Sequence, residues 1–304
     1  MLDPKAFGGQ LIVASPIPIN GRGEIHFEGV RQLIDRLGGG PAVGVAIDTL
    51  GSRGARLASV QRAGLLAAWR EGLGAGRILV ALAGVPPEVR RPEEVAASAL
   101  AMARQAADFG GDLLLVDPPV ALRGRPERDR LVLEHHAAVA EAGIPLLISY
   151  RREASGGLAY GPDVLAQLLA RREILGVVVD SFDSIVAFQQ VETLARELAP
   201  SKLVVSGEER FLGYSLMSGA HAAFVGIGAL DPVLVAGLVD AHASGHPARF
   251  LTLSEQVDRL AAAIIAPPLD GVPLRLLKAL VHAGHLPIDS AHDLGAPRNM
   301  GKPV

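Results

Sequence analysis

Polar side chains that could do chemistry stand directly after short apolar runs in this sequence. Asp48, Asp117 and Asp180 each close such a run, and Glu208 follows another. Carboxylates grouped in this way could transfer protons or bind a divalent ion. An Asp after a strand is also a frequent helix cap. Taken singly, each acid is interpreted as a cap, and Asp180, with Ser181 and Asp183 behind it, is predicted to cap the next helix.

Tyr150 closes a fifth apolar run and is followed by Arg151. A Tyr at the end of a buried strand can relay a proton or bind a carboxylate. It can equally be an amphipathic core residue with its tip in water. Position in the sequence leaves both interpretations open.

Eight apolar runs of this kind recur about 20 to 35 residues apart, one for each strand of a repeating strand–helix unit. The predicted strands are Gln10–Ser15, Val43–Asp48, Arg77–Ala83, Asp112–Asp117, Pro145–Tyr150, Leu175–Asp180, Lys202–Ser206 and Ala222–Gly228.

The segments between the runs have apolar residues at helical spacing, and Gly follows several of them as a helix C-cap does. The predicted helices are Glu24–Leu37, Leu57–Trp69, Pro92–Phe109, Arg128–Ala142, Asp163–Arg171, Ser184–Leu198 and Glu209–Ser218. In the fourth, only one of His135 and His136 is expected to face inward.

Eight alternations predict an α/β fold, a (β/α)8 TIM barrel formed by residues 1–231. Three further helices, Asp231–Ala243, Phe250–Ile265 and Pro273–Ala283, predict a C-terminal helical extension over residues 232–304.

A barrel of this type has its active site at the carboxyl ends of its strands, so the residues there become the candidate site. Tyr150 is the candidate catalytic residue. The candidate substrate contacts are Ser15, Asp48, Thr49, Asp117, Arg151, Val178, Asp180, Glu208 and Ile227.

Composition excludes several classes of function. The formal net charge is −3 and Cys is absent, so no nucleic-acid partner, disulfide or zinc–thiolate site is expected. The N-terminus lacks a signal-peptide pattern, and no stretch of 18 uncharged apolar residues suggests a membrane partner. The sequence predicts a cytoplasmic protein that uses no cofactor and has no dedicated set of metal ligands.

The order of these features resembles the dihydrodipicolinate synthase/N-acetylneuraminate lyase superfamily over about residues 8 to 295. The segments that carry the resemblance are Ser15-Pro16 with Gly23–His26, Gly111-Asp112, Asp117–Pro119, Pro145–Tyr150, Ile174–Asp183, Ser206–Glu209, Gly219–Pro232 and Pro273–Gly284.

The resemblance implies an enzyme that binds a 2-oxo acid, often pyruvate, as a Schiff base on a lysine at the end of strand 6. It also implies a proton-relaying tyrosine at the end of strand 5, matched here by Tyr150, and a dimer or tetramer. The lysine position falls on Val178, or on Val179 if the alignment shifts by one residue. The carboxylate-binding segment after strand 2 reads Asp48-Thr49-Leu50-Gly51-Ser52-Arg53, without paired threonines. No lysine lies at the carboxyl end of a predicted strand; the four lysines are Lys5, Lys202, Lys278 and Lys302.

Three functions remain open. The first is a lyase, aldolase or hydro-lyase that acts on a 2-oxo acid or sugar acid without an imine, with Tyr150 as acid/base. The second, of equal rank, is a catalytically inactive barrel that binds a metabolite or partner. The third, ranked lower, is a divalent-metal-assisted aldolase or isomerase that uses the acidic ring.

Overall fold

The computed structural model describes residues 7–49, 53–74, 76–182 and 184–294, which form a closed barrel of parallel strands in chain order. The first strand pairs with the last, for example Val13 with Val225, and this pairing closes the ring. The predicted (β/α)8 barrel is therefore confirmed. The strands are β1 Leu11–Ala14, β2 Gly44–Ala46, β3 Ile78–Ala83, β4 Leu113–Val116, β5 Leu146–Tyr150, β6 Ile174–Val179, β7 Leu203–Ser206 and β8 Ala222–Val225.

Side chains alternate between two apolar layers along each strand. One layer fills the barrel interior and includes Ile12, Val80 and Val205. The other lies between strands and helices and includes Val13 and Val204. Because both faces are buried, the strands are continuous aliphatic runs, as parallel sheets require.

The helices around the barrel are α1 Phe27–Gly38, α2 Ser59–Leu73, α3 Pro92–Asp108, α4 Arg128–Ala140, α5 Pro162–Leu169, α6 Ile185–Leu198 and α7 Leu212–Met217. Several begin with a recognisable cap: Ser184 Oγ accepts the amide of Ala187 at the start of α6. Helix α7 begins three residues later than the predicted Glu209, because the Glu209 carboxylate binds the backbone after β8 instead.

Three helices follow β8: α8 Pro232–Ala243, α9 Pro247–Ile264 and α10 Val272–His282. Helix α8 packs against β1 and α7 and so takes the place of the eighth barrel helix. No single helix in the described ranges is long and apolar enough to cross a membrane, although the bent pair Pro247–Ile264 and Leu269–His282 passes by length and composition.

After α10 the chain returns to the loop that follows β1. Ile19 pairs with Ala291, and Asp289 lies 3.2 Å from the Nε2 atom of His26. Arg53, in the loop after β2, binds Asp293. The carboxyl-terminal part is thereby joined to the end of the barrel where the strand carboxyl ends meet.

Candidate active site

The inward-facing residue at the end of β5 is Ser149. Leu147 belongs to the barrel interior and Ile148 to the outer layer, so strand alternation turns Ser149 inward. Ser149 is the register partner of Val178 on β6, and both side chains are 3% exposed. At the inward positions that end β5 and β6, the mouth therefore has a hydroxymethyl and an aliphatic side chain.

Tyr150 lies on the outside of the barrel, which corrects the expectation that its hydroxyl enters the mouth. It packs on the outer apolar layer, and its ring centroid is 6.3 Å from that of Tyr160. Both rings line a surface cavity of about 590 Å³ beside α6. The reason is strand periodicity: a shift of one residue moves a side chain to the opposite face.

The two lysines within the described ranges lie away from the mouth. Lys202 donates hydrogen bonds to the carbonyl oxygens of Arg171 (2.8 Å) and Ile174 (2.6 Å), at the amino end of β6. Lys278 is exposed on α10. Lys5 and Lys302 lie outside the described residues.

Asp48 is a structural residue held by a buried arginine. Its Oδ1 accepts the amide of Leu82 at 2.9 Å, and its other oxygen is ion-paired with Arg62, which is 2% exposed. Arg62 also donates to the carbonyl oxygens of Leu82 (2.6 Å) and Met102 (2.8 Å). Burial raises the pKa of Asp48, and the charge of Arg62 opposes that shift. Asp48 caps no helix, since α2 starts at Ser59 after an Ala N-cap.

Arg62 was not among the sequence-predicted residues, although the sequence contains a signal for it. It falls on the same helical stripe as Leu65, Leu66 and Trp69, and all four are buried in α2. An arginine on an apolar stripe needs a buried acceptor. The acid that follows the strand of the same strand–helix unit is Asp48, and it is that acceptor.

Arg151 joins the ends of β5 and β6. Its guanidinium is ion-paired with Asp180 and lies 5.1 Å from the centroid of the Phe182 ring. Asp180 is therefore an ion-pair partner and not the predicted cap of α6, which is capped by Ser184. Asp183 lies outside the described residues.

Asp117 ends β4 and is 5% exposed. Its inner neighbour Leu115 belongs to the barrel interior, so alternation turns Asp117 into the mouth as well. Loss of hydration raises the pKa of Asp117 to about 7, with a further increase from Asp180 and Asp48 and an opposing effect of Arg151. Its Oδ1 atom accepts no hydrogen bond, nor does the Oδ1 atom of Asp180.

Two adjacent glutamates fix loops at the mouth. Glu208 accepts the amides of Ser181 (2.7 Å) and Phe182 (3.0 Å), and burial raises its pKa to about 8. Glu209 accepts the amides of Gly226 (2.7 Å) and Ile227 (2.9 Å), and burial raises its pKa to about 7. Both carboxylates therefore bind backbone amides of neighbouring units and do not cap their own helix.

The remaining predicted contacts are buried near the same edge. Ser15 is 2% exposed and donates to the carbonyl oxygen of Pro16 at 3.2 Å. Thr49 is 6% exposed, next to Asp48. The side chain of Ile227 belongs to the apolar layer. Residues 50–52 of the strand-2 segment lie outside the described residues.

His135 and His136 are both fully buried, so the expectation that only one faces inward is wrong. Helix α4 packs between α3 and α5, and this covers two of its faces. The Nδ1 atom of His136 donates to the carbonyl oxygen of Val132 at 2.8 Å. Burial lowers the pKa of His136 to about 4.

The mouth combines a carboxyl group that titrates near neutrality, Asp117, with one guanidinium, Arg151. Such a pair suits proton transfer on a substrate whose carboxylate binds the guanidinium. Across the described residues, no three His, Asp or Glu side chains are placed to hold a metal ion. The physical reason is that Arg62 and Arg151 bind two of the acids and backbone amides bind Glu208.

A closed parallel barrel with ionisable groups at the carboxyl edge of its strands defines a (β/α)8 TIM barrel with its candidate site at the usual end. Residues 93–289 match the model of the Dihydrodipicolinate synthetase family. The chain belongs to that family.

A curated relative is the 4-hydroxy-tetrahydrodipicolinate synthase 1 of Streptomyces coelicolor, 28% identical over 181 residues. The aligned part is 60% of this chain and 56% of the relative, so the match spans little more than half of that protein.

Solved structures share the fold over nearly the whole chain. The dihydrodipicolinate synthase of Bacteroides thetaiotaomicron has a TM-score of 0.78 at 18% identity, covering 94% of this chain and 91% of its own. The N-acetylneuraminate lyase of Fusobacterium nucleatum, complexed with pyruvate, has a TM-score of 0.77 at 14% identity, and the match covers 95% of this chain and 90% of that one. A dihydrodipicolinate synthase variant described as monomeric has a TM-score of 0.82 at 16% identity, and the match covers 97% of this chain and 93% of that one.

Proposed function

We propose that this protein is a lyase or hydro-lyase that acts on a 2-oxo acid or sugar acid without forming a lysine imine. The observation that carries the proposal is the Asp117–Arg151–Asp180 group at the mouth, beside the Ser149–Val178 pair. With Val178 at the lysine position and Tyr150 outside the barrel, proton transfer falls to another group. Asp117 is that group.

In the proposed reaction the substrate carboxylate replaces Asp180 on Arg151. Guanidinium–carboxylate pairs are bidentate and directional, so this contact orients the substrate. For elimination of water, Asp117 removes the proton from the carbon next to the carboxylate or carbonyl group and returns it to the β-hydroxyl group, which leaves as water. For carbon–carbon cleavage, Asp117 removes the proton of the β-hydroxyl group, whose carbon becomes the carbonyl of one product, and returns the proton to the carbon released from the broken bond. A pKa of about 7 lets one carboxyl group both accept and donate a proton near neutral pH.

The test is a panel of 2-oxo acids and sugar acids whose products are followed by NMR, with borohydride added in a parallel reaction. We expect turnover of at least one acid without a borohydride-stable adduct. Asp117→Asn should lower that turnover by about 100-fold or more, the usual contribution of a general acid or base.

Asp112→Asn is the matched control, because Asp112 precedes the same strand, β4, at its amino end and binds Arg70 there. We expect its turnover to stay at the parent level. A borohydride-stable adduct, or full activity in Asp117→Asn, would reject the proposal.

A second candidate function is a catalytically inactive barrel that binds a metabolite. It is favoured by the near-complete burial of Ser149 and Val178, each 3% exposed, where reactive groups would have to meet a substrate. It predicts no turnover of any acid in the panel, together with a higher melting temperature in the presence of one of them. Turnover would reject it. The metal-assisted alternative has less support, since Asp48 and Asp180 are ion-paired with arginines and Glu208 binds backbone amides.

We also propose that the protein forms a homo-oligomer. Apolar side chains are exposed on one side of the barrel, with Ile185 at 40%, Val186 at 61% and Met217 at 59% exposure. Light scattering after gel filtration tests this, and a mass equal to the 31.6 kDa chain would reject it. The cytoplasmic location expected from the sequence stays a prediction.

A further inference from the structure

A groove separates α5 from α6 on the outer side of the barrel. Its volume is about 590 Å³, which lies within the range of sites that bind small molecules. Helix α5 has 8 residues and α6 has 14, so α5 cannot cover the whole length of its neighbour. The residues that line this α5–α6 groove include Tyr150, Tyr160, Leu165, Val186, Gln190 and Thr193.

The lining of the groove is aromatic and aliphatic. The ring planes of Tyr150 and Tyr160 are 76° apart, and Leu165 is buried beside them. Val186, on the α6 side, is 61% exposed. Covering such a surface with an apolar ring is favourable, because it removes apolar area from water and adds aromatic contacts.

Two polar groups of the lining have no hydrogen-bond partner in the described part of the chain. They are the Tyr150 phenol and the Gln190 side-chain amide. Burial raises the pKa of Tyr150, so the phenol keeps its proton and can donate it to an acceptor. A carboxamide both accepts and donates hydrogen bonds, and it can therefore satisfy the phenol and the Gln190 amide together.

The charges near the groove favour an uncharged ligand. Among the described residues that line it, the only ionised side chain is that of Glu197, which is exposed to water. The positive charge of Arg152 acts on Tyr150 from outside the lining. An anion or a cation that entered the groove would lose hydration without gaining a buried counter-ion.

We propose that the α5–α6 groove binds an uncharged aromatic carboxamide. Its ring covers the two tyrosines and Leu165, and its amide group binds the Tyr150 phenol and Gln190. The site is separate from the mouth, since Tyr150 lies on the outer face of β5 and Ser149 on the inner face. The inference does not depend on the proposed reaction and stands or falls without any turnover.

The test uses three probes of similar shape: uncharged benzamide, negative benzoate and positive benzamidinium. Saturation-transfer NMR titrations give the Kd of each for the parent protein, Thr193→Trp and Arg196→Trp. The Thr193→Trp side chain fills the groove, whereas Arg196 is exposed on the same helix outside the lining. Only binding that Thr193→Trp abolishes counts as binding in the groove, because an acid can also enter the mouth.

We expect benzamide to bind the parent and Arg196→Trp equally, and about threefold or more tightly than either ion, because only the ions lose hydration without compensation. Thr193→Trp should weaken benzamide binding about tenfold or more, through loss of the apolar contact. The melting temperature of each variant shows that it is folded.

Tyr150→Phe tests the hydrogen bond alone. It should weaken benzamide binding about threefold to tenfold, the effect of one hydrogen bond, while cyclohexanecarboxamide should bind the parent more weakly than benzamide does. Several outcomes would overturn the inference: no benzamide binding to the parent, as when a second copy seated on Val186 closes the groove; equal binding in Thr193→Trp; tighter binding of either ion in the groove; or an unchanged Kd in Tyr150→Phe.

Discussion

Ser149 and Val178 are register partners on adjacent strands, and both point into the barrel. This pair decides which chemistry the mouth can support. It contains no amine and no phenol. The ionisable side chains of these two strands follow them by one residue each, Arg151 after β5 and Asp180 after β6, and they are ion-paired with each other.

Removing the hydroxyl group of Tyr150 should leave the mouth unaffected. In Tyr150→Phe we expect thermal protection by whichever acid of the panel protects the parent to be unchanged, because the phenol lies on the outer face beside Tyr160. Ser149→Leu is the contrasting variant: a larger inward side chain in a packed site costs roughly 1–3 kcal/mol and fills the mouth. Loss of protection in Tyr150→Phe would show that the phenol faces inward after all.

Breaking the Arg62–Asp48 pair should destabilise the barrel strongly. Arg62→Met leaves the buried Asp48 carboxylate without its partner, and loss of one member of such a pair costs about 3–5 kcal/mol. Urea denaturation measures this change in the free energy of unfolding. Arg259→Met is the control, since Arg259 forms an exposed pair with Glu255 worth about 0–1 kcal/mol.

The double variant Asp48→Asn/Arg62→Met separates the charge from the packing. It should recover part of the stability lost in Arg62→Met, because no buried carboxylate is left unpaired. A double variant no more stable than the single one would show that the loss comes from the arginine's packing and carbonyl contacts alone.

Asp117 should make the protein less stable as the pH rises through the weakly acidic range. Its pKa is raised from 3.8 to about 7 in the folded chain. Below pH 3.8 the Asp117 carboxyl group is protonated in both the folded and the unfolded chain, so it does not lower the free energy of unfolding. Between pH 3.8 and 7 the unfolded chain loses this proton more readily, so the free energy of unfolding falls by up to about 1.4 kcal/mol per pH unit.

The measurement is the melting temperature of parent and Asp117→Asn across that range. The Asn variant should gain stability relative to the parent from pH 4 upward, and the gain should level off above pH 7. A constant difference between the two proteins at all pH values would contradict the raised pKa.

Glu208 should hold the loop after β6 through its two backbone contacts. Glu208→Ala leaves the amides of Ser181 and Phe182 without their acceptors, and a buried donor left unpaired costs about 1–3 kcal/mol. Amide hydrogen exchange should therefore accelerate at these two residues. Exchange at Gly226 and Ile227, which bind Glu209, serves as the internal control; equal acceleration at all four amides would indicate global loosening.

The barrel architecture could be predicted from the sequence because strand–helix alternation is a local property. Eight aliphatic runs, each followed by a segment with apolar residues at helical spacing, leave few alternatives to a closed parallel sheet. The strand ends were located within a few residues, and this was enough to collect Asp117, Arg151, Asp180 and Glu208 at one edge. The absence of a lysine at the end of β6 could also be read directly, at Val178.

The direction in which each side chain points, and the residue that it binds, depended on the tertiary structure. Tyr150 and Ser149 are neighbours in sequence, and the register of β5 against β6 turns Ser149 inward. Asp48, Asp180 and Glu208 each follow a strand as a helix cap does. Their actual partners, Arg62, Arg151 and the amides of Ser181 and Phe182, lie 14, 29 and 26 to 27 residues away. Local sequence thus determined which residues reach the mouth, whereas tertiary packing determined which charges meet there. Arg62 reaches Asp48 only when α2 packs on the barrel, and Arg151 reaches Asp180 only when β5 pairs with β6.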